Sequence, residues 1–212
     1  MRQNKVTFGL RNVHYATIDE QDGVITFNDP KPIPGGVELS LEPRGDMFEF
    51  YADDMTYHAS SNNQGYDGTL SIANVPQVFL IDVLGEEFDD ADGVLNELVN
   101  AENNRFALLF EFDGDVRRIR HVMYNCVANR TPIGSSTKTG SIEPNTTELT
   151  FVSSPVLIDG KMMVKTKTTE ETARSIYDSW FDRVYIKQQR EAGQVVAADF
   201  VGVDEDGEIA ND

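Results

Sequence analysis

Along most of the chain, apolar and polar residues alternate with a period of two, the mark of half-buried strands. Val6 and Phe8 alternate with polar neighbours between Asn4 and Gly9. Tyr15–Ile18 and Val24–Phe27 flank Asp22-Gly23, a hairpin turn signal. Pro30, Pro32 and Pro34 then break the ladder, because proline has no N–H to donate. Val37, Leu39 and Leu41 alternate with Glu38, Ser40 and Glu42, which predicts a strand with one packed and one wet face. Arg44-Gly45-Asp46 turns the chain into Met47–Tyr51, continuing an antiparallel meander. From Ala52 to Gln64 the alternation loosens, and Asp, Ser and Asn predict a loop interrupted by Met55 and Tyr57. Gly65-Tyr66-Asp67-Gly68 leads into another strand, Thr69–Ala73.

The pattern changes at Asn74-Val75-Pro76. Pro76 suits the first turn of a helix, Gln77–Leu84 would form it, and Gly85 would end it. The segment is short and apolar nearly all round, so a buried strand is the alternative. Asp89, Asp90 and Asp92 precede Gly93 in a turn. Phe106–Phe110 is apolar on both faces, and Asp113-Gly114 turns it into Arg117–Tyr124, the clearest hairpin in the sequence. Asn129 to Thr147 carries Pro132, Gly134, Gly140 and Pro144 among many Ser and Thr residues and reads as a long loop. Leu149–Val152 and Met162–Thr166 are strands joined across Asp159-Gly160. Thr168-Thr169-Glu170-Glu171 fits a capping box with Thr168 as N-cap. Ala173, Ile176, Tyr177, Trp180, Phe181 and Val184 then form one apolar stripe, which predicts a C-terminal helix packed on a sheet. Asp199 to Asp212 holds six acidic residues and no basic ones, the composition of a solvated tail. The reading is therefore one mainly β (α+β) domain over residues 1–187 and a polar, acidic, flexible extension over 188–212.

Charge narrows the function. The 212 residues include 18 basic and 36 acidic side chains, a net charge of −18. Such a chain repels DNA and anionic membrane, which excludes tight non-specific binding to either. It does not exclude a protein that sits close to DNA without holding it. The single cysteine, Cys126, excludes an internal disulfide and any CxxC motif, and reads as a buried, reduced apolar residue. No apolar run approaches the roughly 20 residues of a membrane span. Met1–Lys5 leads into a strand-like stretch rather than a signal peptide, so the expectation is folding in a cytosol.

Candidate chemistry fails on spacing. As a calcium loop, Asp90-Ala91-Asp92-Gly93 would put Phe88 and Val99 at ligand positions, Asp204-Glu205-Asp206-Gly207 has its glycine too early, and Glu111, Asp113 and Asp115 are followed by Val116. His14, His58 and His121 have no metal-binding spacing. No nucleophile elbow or phosphate loop is present. No catalytic, cofactor-binding or metal-binding residue emerges, which favours a structural or binding protein over an enzyme. Arg117, Arg118 and Arg120 form a basic cluster, read either as a nucleic-acid patch or, preferably, as charge pairing with an acidic surface. On a strand Arg118 and Arg120 share one face and Arg117 takes the other.

The order of features resembles the major tail protein family of long-tailed bacteriophages (siphophages). The resemblance lies in Phe50-Tyr51-Ala52-Asp53-Asp54, Tyr57, Gly65-Tyr66-Asp67-Gly68-Thr69-Leu70, Val75-Pro76 and Leu84-Gly85. Later come Asn125-Cys126, Ser141-Ile142-Glu143-Pro144 and Tyr177 to Val184. It covers about residues 1–187, and its weight lies in order and spacing. It implies an antiparallel β-sandwich or barrel-like core with a short central helix and a C-terminal helix. It also implies a virion protein, assembled in the host cytoplasm, whose hexameric rings stack into the tail tube, the conduit for DNA. Partners implied are further copies of the chain and tape measure, tail tip and tail terminator proteins, with no cofactor and no membrane. On this footing Met55 and Tyr57 are expected to anchor contacts between rings, and Glu38, Glu42 and Glu49 to face the lumen. The competing expectation is a β-sandwich decoration or host-recognition module that binds a carbohydrate or receptor.

Overall fold

A computed structural model of the chain describes residues 4–52, 54–135, 137 and 145–187. In chain order its elements are β1 (Thr7–Gln21), β2 (Val24–Phe27), β3 (Lys31–Pro32), β4 (Gly36–Arg44), β5 (Met47–Ala52), β6 (Met55–Ser61), β7 (Gly65–Ile72) and α1 (Gln77–Leu84). There follow β8 (Glu87–Asp89), β9 (Val94–Asn96), β10 (Phe106–Gly114), β11 (Ile119–Ala128), β12 (Thr147–Ser153), β13 (Val156–Ile158), β14 (Lys161–Met163), β15 (Lys165–Lys167), α2 (Arg174–Asp178) and a 3-10 turn, Ser179–Phe181. The mainly β, α+β class read from the alternation is the one that forms.

The main sheet has nine strands in the order β2-β1-β10-β11-β12-β7-β4, with β3 added to β1 and β15 to β11. Its pairings are antiparallel, and β2 and β4 end the row, so it is an open sheet and not a closed barrel. Extra residues on β1 shift its register against β10 twice, and Gly9 (φ 64°) and Asn12 (φ 49°) sit at these bulges. Bulges bend and twist a strand. The sheet curls until the start of β4 reaches β1, where a Cβ on Gly36 would lie 3.1 Å from Val13 Cγ2.

The central hairpin of β10 and β11 is packed on both faces. Phe106, Leu108 and Phe110 point into the main core with Leu70, Ile72, Phe79 and Phe151. Ala107 and Leu109 point the other way, onto Val156, Ile158, Trp180 and Val184. One extra residue in β11 between Met123 and Cys126 resets the alternation, so that both side chains reach the main core while Tyr124 joins the second cluster. Cys126 is fully buried and reduced, and burial pushes its thiol up to about 12. The helix reading of 77–84 holds over the strand alternative. α1 follows Pro76, ends at left-handed Gly85 (φ 70°), and plugs the core with Phe79 and Val83.

Three sequence expectations are overturned. Ala52–Gln64 is not a loop, because Met55–Ser61 forms β6 against β5. This ribbon stands clear of the core and its described side chains are exposed, so burial imposes no alternation to read. Met162–Thr166 is not one strand paired across Asp159-Gly160 with Leu149–Val152. That turn joins β13 to β14, β15 leaves to pair with β11, and β12 pairs with β7 and β11. The long C-terminal helix shrinks to α2 and one 3-10 turn, and Thr168 is not its cap. Thr168 is buried at the edge of β11, where its hydroxyl accepts from the Arg120 N–H at 2.9 Å and its own N–H donates to Arg120 O at 2.8 Å. The apolar stripe packs as intended, with Trp180 and Val184 buried against the sheet. The described part of Asn129–Thr147 is irregular up to the start of β12, while Ser141-Ile142-Glu143-Pro144 and the extension 188–212 lie outside the described residues.

Gly65, at the start of β7, carries a tight backbone constraint. At φ 100° a Cβ there would lie 1.9 Å from the Ser153 carbonyl oxygen, whereas Gly93 (φ 70°) has open space. Gly65→Ala should therefore destabilise the fold by about 3 kcal/mol or more, and Gly93→Ala by only about 1 kcal/mol, read from urea midpoints.

Candidate assembly surfaces

β4, β5, β6 and β7 are one long hairpin. Its pairs run from Gly36 with Ile72, through Arg44 with Gly65 and Met47 with Ser61, to Ala52 with Met55 at the tip. Hydrogen bonds from Asn62 N–H to Asp46 O (3.2 Å) and from Gln64 N–H to Arg44 O (3.0 Å) carry the ladder across the break between its halves. Gly45 is required at that break, since a Cβ would overlap the Asn62 carbonyl at 1.7 Å. The inner half belongs to the main sheet. The outer half, β5 and β6, pairs only with itself among the described residues and stands out as an arm of about 20 Å. Met47, Tyr51, Met55 and Tyr57 on it are each more than 60% exposed. A lone two-stranded ribbon is marginal in water, so an apolar arm of this kind gains from a partner surface. Met55 and Tyr57 thus lie together on the arm, and Met47 and Tyr51 join them.

The sheet beside the arm has a bare polar face. Register sets its rows: Glu38, Ser71 and Glu148; Ser40, Thr69 and Thr150; Glu42, Asp67 and Val152, across β4, β7 and β12. The opposite face of the same strands carries Leu39, Leu41, Leu70, Leu149 and Phe151 into the core. Glu38 and Glu42 therefore share one exposed face, as the alternation reads. Asp67 and Glu148 join them, and neither is visible from its own segment of sequence, where one lies in a turn motif and the other beside a loop. Glu49 is not part of this face. It lies out on β5, where the Tyr51 hydroxyl donates to it. Arg44 answers the acidity locally, its Nε 3.4 Å from Asp67 Oδ1.

The edges of the sheet are open. Among the described residues β4 pairs only with β7, and β2 only with β1. Pro43, the bulge at Val37 and the carboxylates of Glu38 and Glu42 blunt the β4 edge against indiscriminate pairing.

The arginine cluster is structural, as the charge-pairing reading expects for two of its members. Glu111 is fully buried and accepts from Asn12 Nδ2 at 2.8 Å and Arg120 Nε at 3.0 Å. Arg118 Nε lies 2.7 Å from Asp113 Oδ1. The hydrogen bond from Arg11 holds the Asp113 carboxyl below its ordinary value. Arg117 and Arg120 both lie over the Tyr177 ring, at 3.8 and 3.9 Å from its centroid. The cluster clamps the C-terminal segment to the sheet rather than offering a basic patch. His121 is half-buried and stacked on Phe110, and its desolvation, with Lys167 and Lys165 nearby, pushes its pKa down to about 4. His58 lies in β6, and the His14 ring packs on Phe181. Among the described residues no group of three or more His, Cys, Asp or Glu is placed to hold a metal, and no helix is long and apolar enough to cross a membrane.

No family model matches the chain, and no curated protein does. Among solved structures the chain is similar to the tube-terminating cap of the anti-feeding prophage, at 12% identity and a TM-score of 0.42, covering 74% of this chain and 88% of that one. It is also similar to a chain of the sheath–tube complex of an extracellular contractile injection system in its extended state. There the identity is 10% and the TM-score 0.44, covering 78% of this chain and 93% of that one. With TM-scores below 0.5, neither likeness bears on what this chain does.

Two predictions follow from these contacts. Arg120→Ala leaves Glu111 buried with a lost partner and should cost about 3 kcal/mol, against less than about 1 kcal/mol for the more exposed Arg118→Ala, in equilibrium unfolding. His121 binds its proton more weakly in the folded state than unfolded, so stability contributed at neutral pH is lost as pH falls from 6.5 to about 4. The loss is at most about 3 kcal/mol, and His121→Phe should flatten that part of the stability profile.

Proposed function

We propose that this chain is a tail tube subunit of the siphophage major tail protein type, which forms hexameric rings that stack into the conduit for DNA. The observation that carries the reading is the Gly36–Ile72 hairpin. Its inner half presents an unpaired strand edge to a neighbour, and its outer half presents an apolar arm. An open sheet edge is a liability in a lone subunit, and a ring converts it into a closed interface. An arm that extends past the sheet reaches a second ring. The order of sequence features from Phe50 to Val184 supports the same reading.

In such a tube the bare polar face lines the lumen. Glu38, Glu42, Asp67 and Glu148 repel phosphates there, and Glu49 contributes from the arm, so DNA slides without being held. Tape measure, tail tip and tail terminator proteins are the further partners, and the virion tail is the location. A non-enzymatic, structural role goes with this assembly.

Negative-stain electron microscopy over a range of concentrations tests the proposal. Rings or tubes with a central channel are expected. A dimer or trimer whose size stays fixed as concentration rises would overturn it in favour of a β-sandwich binding module. Met55→Ser with Tyr57→Ser should leave rings intact and abolish stacking; tubes of normal length would remove the arm from the account. Tubes carrying Glu38→Gln and Glu42→Gln should retain more DNA than the parent, and equal retention would remove the lumen assignment.

A further inference from the structure

The first half of β1 has an edge that no described strand covers. β10 pairs with one side of β1, while β3 and β2 take the other side only from His14 onward. Residues 7–12 are therefore unpaired on that side among the described residues. Val6 and Phe8 are more than half exposed here, and Leu10, which packs on the main core, is only half-buried. A cavity of about 430 Å³, lined by residues 10–14 and 32–36 and by Arg118, leaves room beside the edge. Charge sets this corner apart. Arg11, Arg118 and Arg120 pair with two carboxylates between them, Asp113 and Glu111. Lys5 and Arg117 offset Asp115 and Glu170 close by, where the Lys5 N–H donates to Asp115 and Arg117 donates to the Glu170 carbonyl. The corner is net positive in a chain whose net charge is −18.

The arm has the complementary character. Residues 45–64 include Asp46, Glu49, Asp53 and Asp54 and no lysine or arginine. Met47, Tyr51 and Met55 on it are exposed, and β5 and β6 pair only with each other among the described residues. β5 is six residues long, as is the free stretch of β1. Adding a strand to an open edge satisfies backbone groups on both sides, and side chains set the choice of partner. Other edges suit the arm less. β4 is longer but carries Glu38 and Glu42, which repel an acidic ribbon, and β2, β13 and β14 have four residues or fewer. The bulges at Gly9 and Asn12 interrupt the ladder that β1 can offer, so side-chain contacts carry much of the recognition. The arm stands clear of its own sheet, so the donor is a second copy. We propose that the arm of a second copy lies along residues 7–12 of β1, its Met47, Tyr51 and Met55 meeting Val6 and Phe8, and its carboxylates meeting Lys5, Arg11 and Arg118. The proposal rests on the tube reading and names the surface that receives the arm in the second ring.

Carbodiimide cross-linking of full-length protein, mixed from 15N-labelled and unlabelled chains, tests this, because the reagent joins a lysine amine to a carboxylate in contact with it. Mixed-isotope peptides joining Lys5 to the arm segment 46–54 are expected. Their yield should fall about tenfold or more in the Phe8→Ser, Arg11→Gln variant, with amide protection of β10 and β11 unchanged. Half-molar salt should lower the yield in the parent as well, because the charged contacts are screened. Absence of the Lys5–arm product, a product of single isotope only, or a yield that the variant keeps would overturn the proposal. Electron micrographs of the same sample separate this contact from the tube reading. Tubes without the cross-link would overturn the contact and leave the tube standing. The mixed-isotope cross-link in oligomers of small, fixed size would uphold the contact and overturn the tube.

Discussion

Burial of the β10–β11 hairpin on both faces is the constraint from which the rest of the fold follows. Phe106, Leu108 and Phe110 on one side and Ala107 and Leu109 on the other each need a cover. The first is met by curling the sheet around α1, and the second by laying β13, β14 and the Trp180 segment across the back. The covers are used up on these central strands. β4, β7 and β12, further along the same sheet, are covered on one face only, and their other face is left to water with glutamates, serines and threonines. The clamp of Glu111, Arg118 and Arg120 with Tyr177 holds the second cover in place, which is why a buried carboxylate is tolerated there.

The same economy leaves the edges open. A strand pair that belonged wholly to the core would stop at Arg44 and Gly65. Instead the ladder runs on through Asp46 and Asn62 into the arm, where no core lies beneath it. In the tube reading, the unpaired edge, the apolar arm and the bare acidic face are three consequences of one subunit being part of a larger sheet. In that reading neighbours supply a next strand for β4 and a surface for the exposed Met47, Tyr51 and Met55.

Legibility in the sequence tracked burial. The hairpins at Asp22-Gly23 and Asp113-Gly114, and the helix between Pro76 and Gly85, were readable because turn chemistry and packing agree there. Met55–Ser61 reads as a loop because a strand whose described side chains are all exposed has no alternation to show. Thr168 reads as a cap because Thr168-x-x-Glu171 fits the motif locally, while the long-range bond to Arg120 that claims its hydroxyl is invisible in sequence. Of the candidate surface, Glu38 and Glu42 were legible from one strand. Asp67 and Glu148 join them only through register between strands far apart in the chain. Glu49 shares their chemistry but not their face, since the Gly45 break separates it from β4.

The central claim is that the open sheet is completed by neighbouring copies, and amide hydrogen exchange on β4, compared between dilute subunits and assembled material, tests it most directly. The account predicts that the amides of Leu39 to Glu42, and of the arm from Met47 to Ser61, become protected on assembly while β10 and β11 are unchanged. Assembled material in which those amides exchange as fast as in the dilute subunit would contradict it.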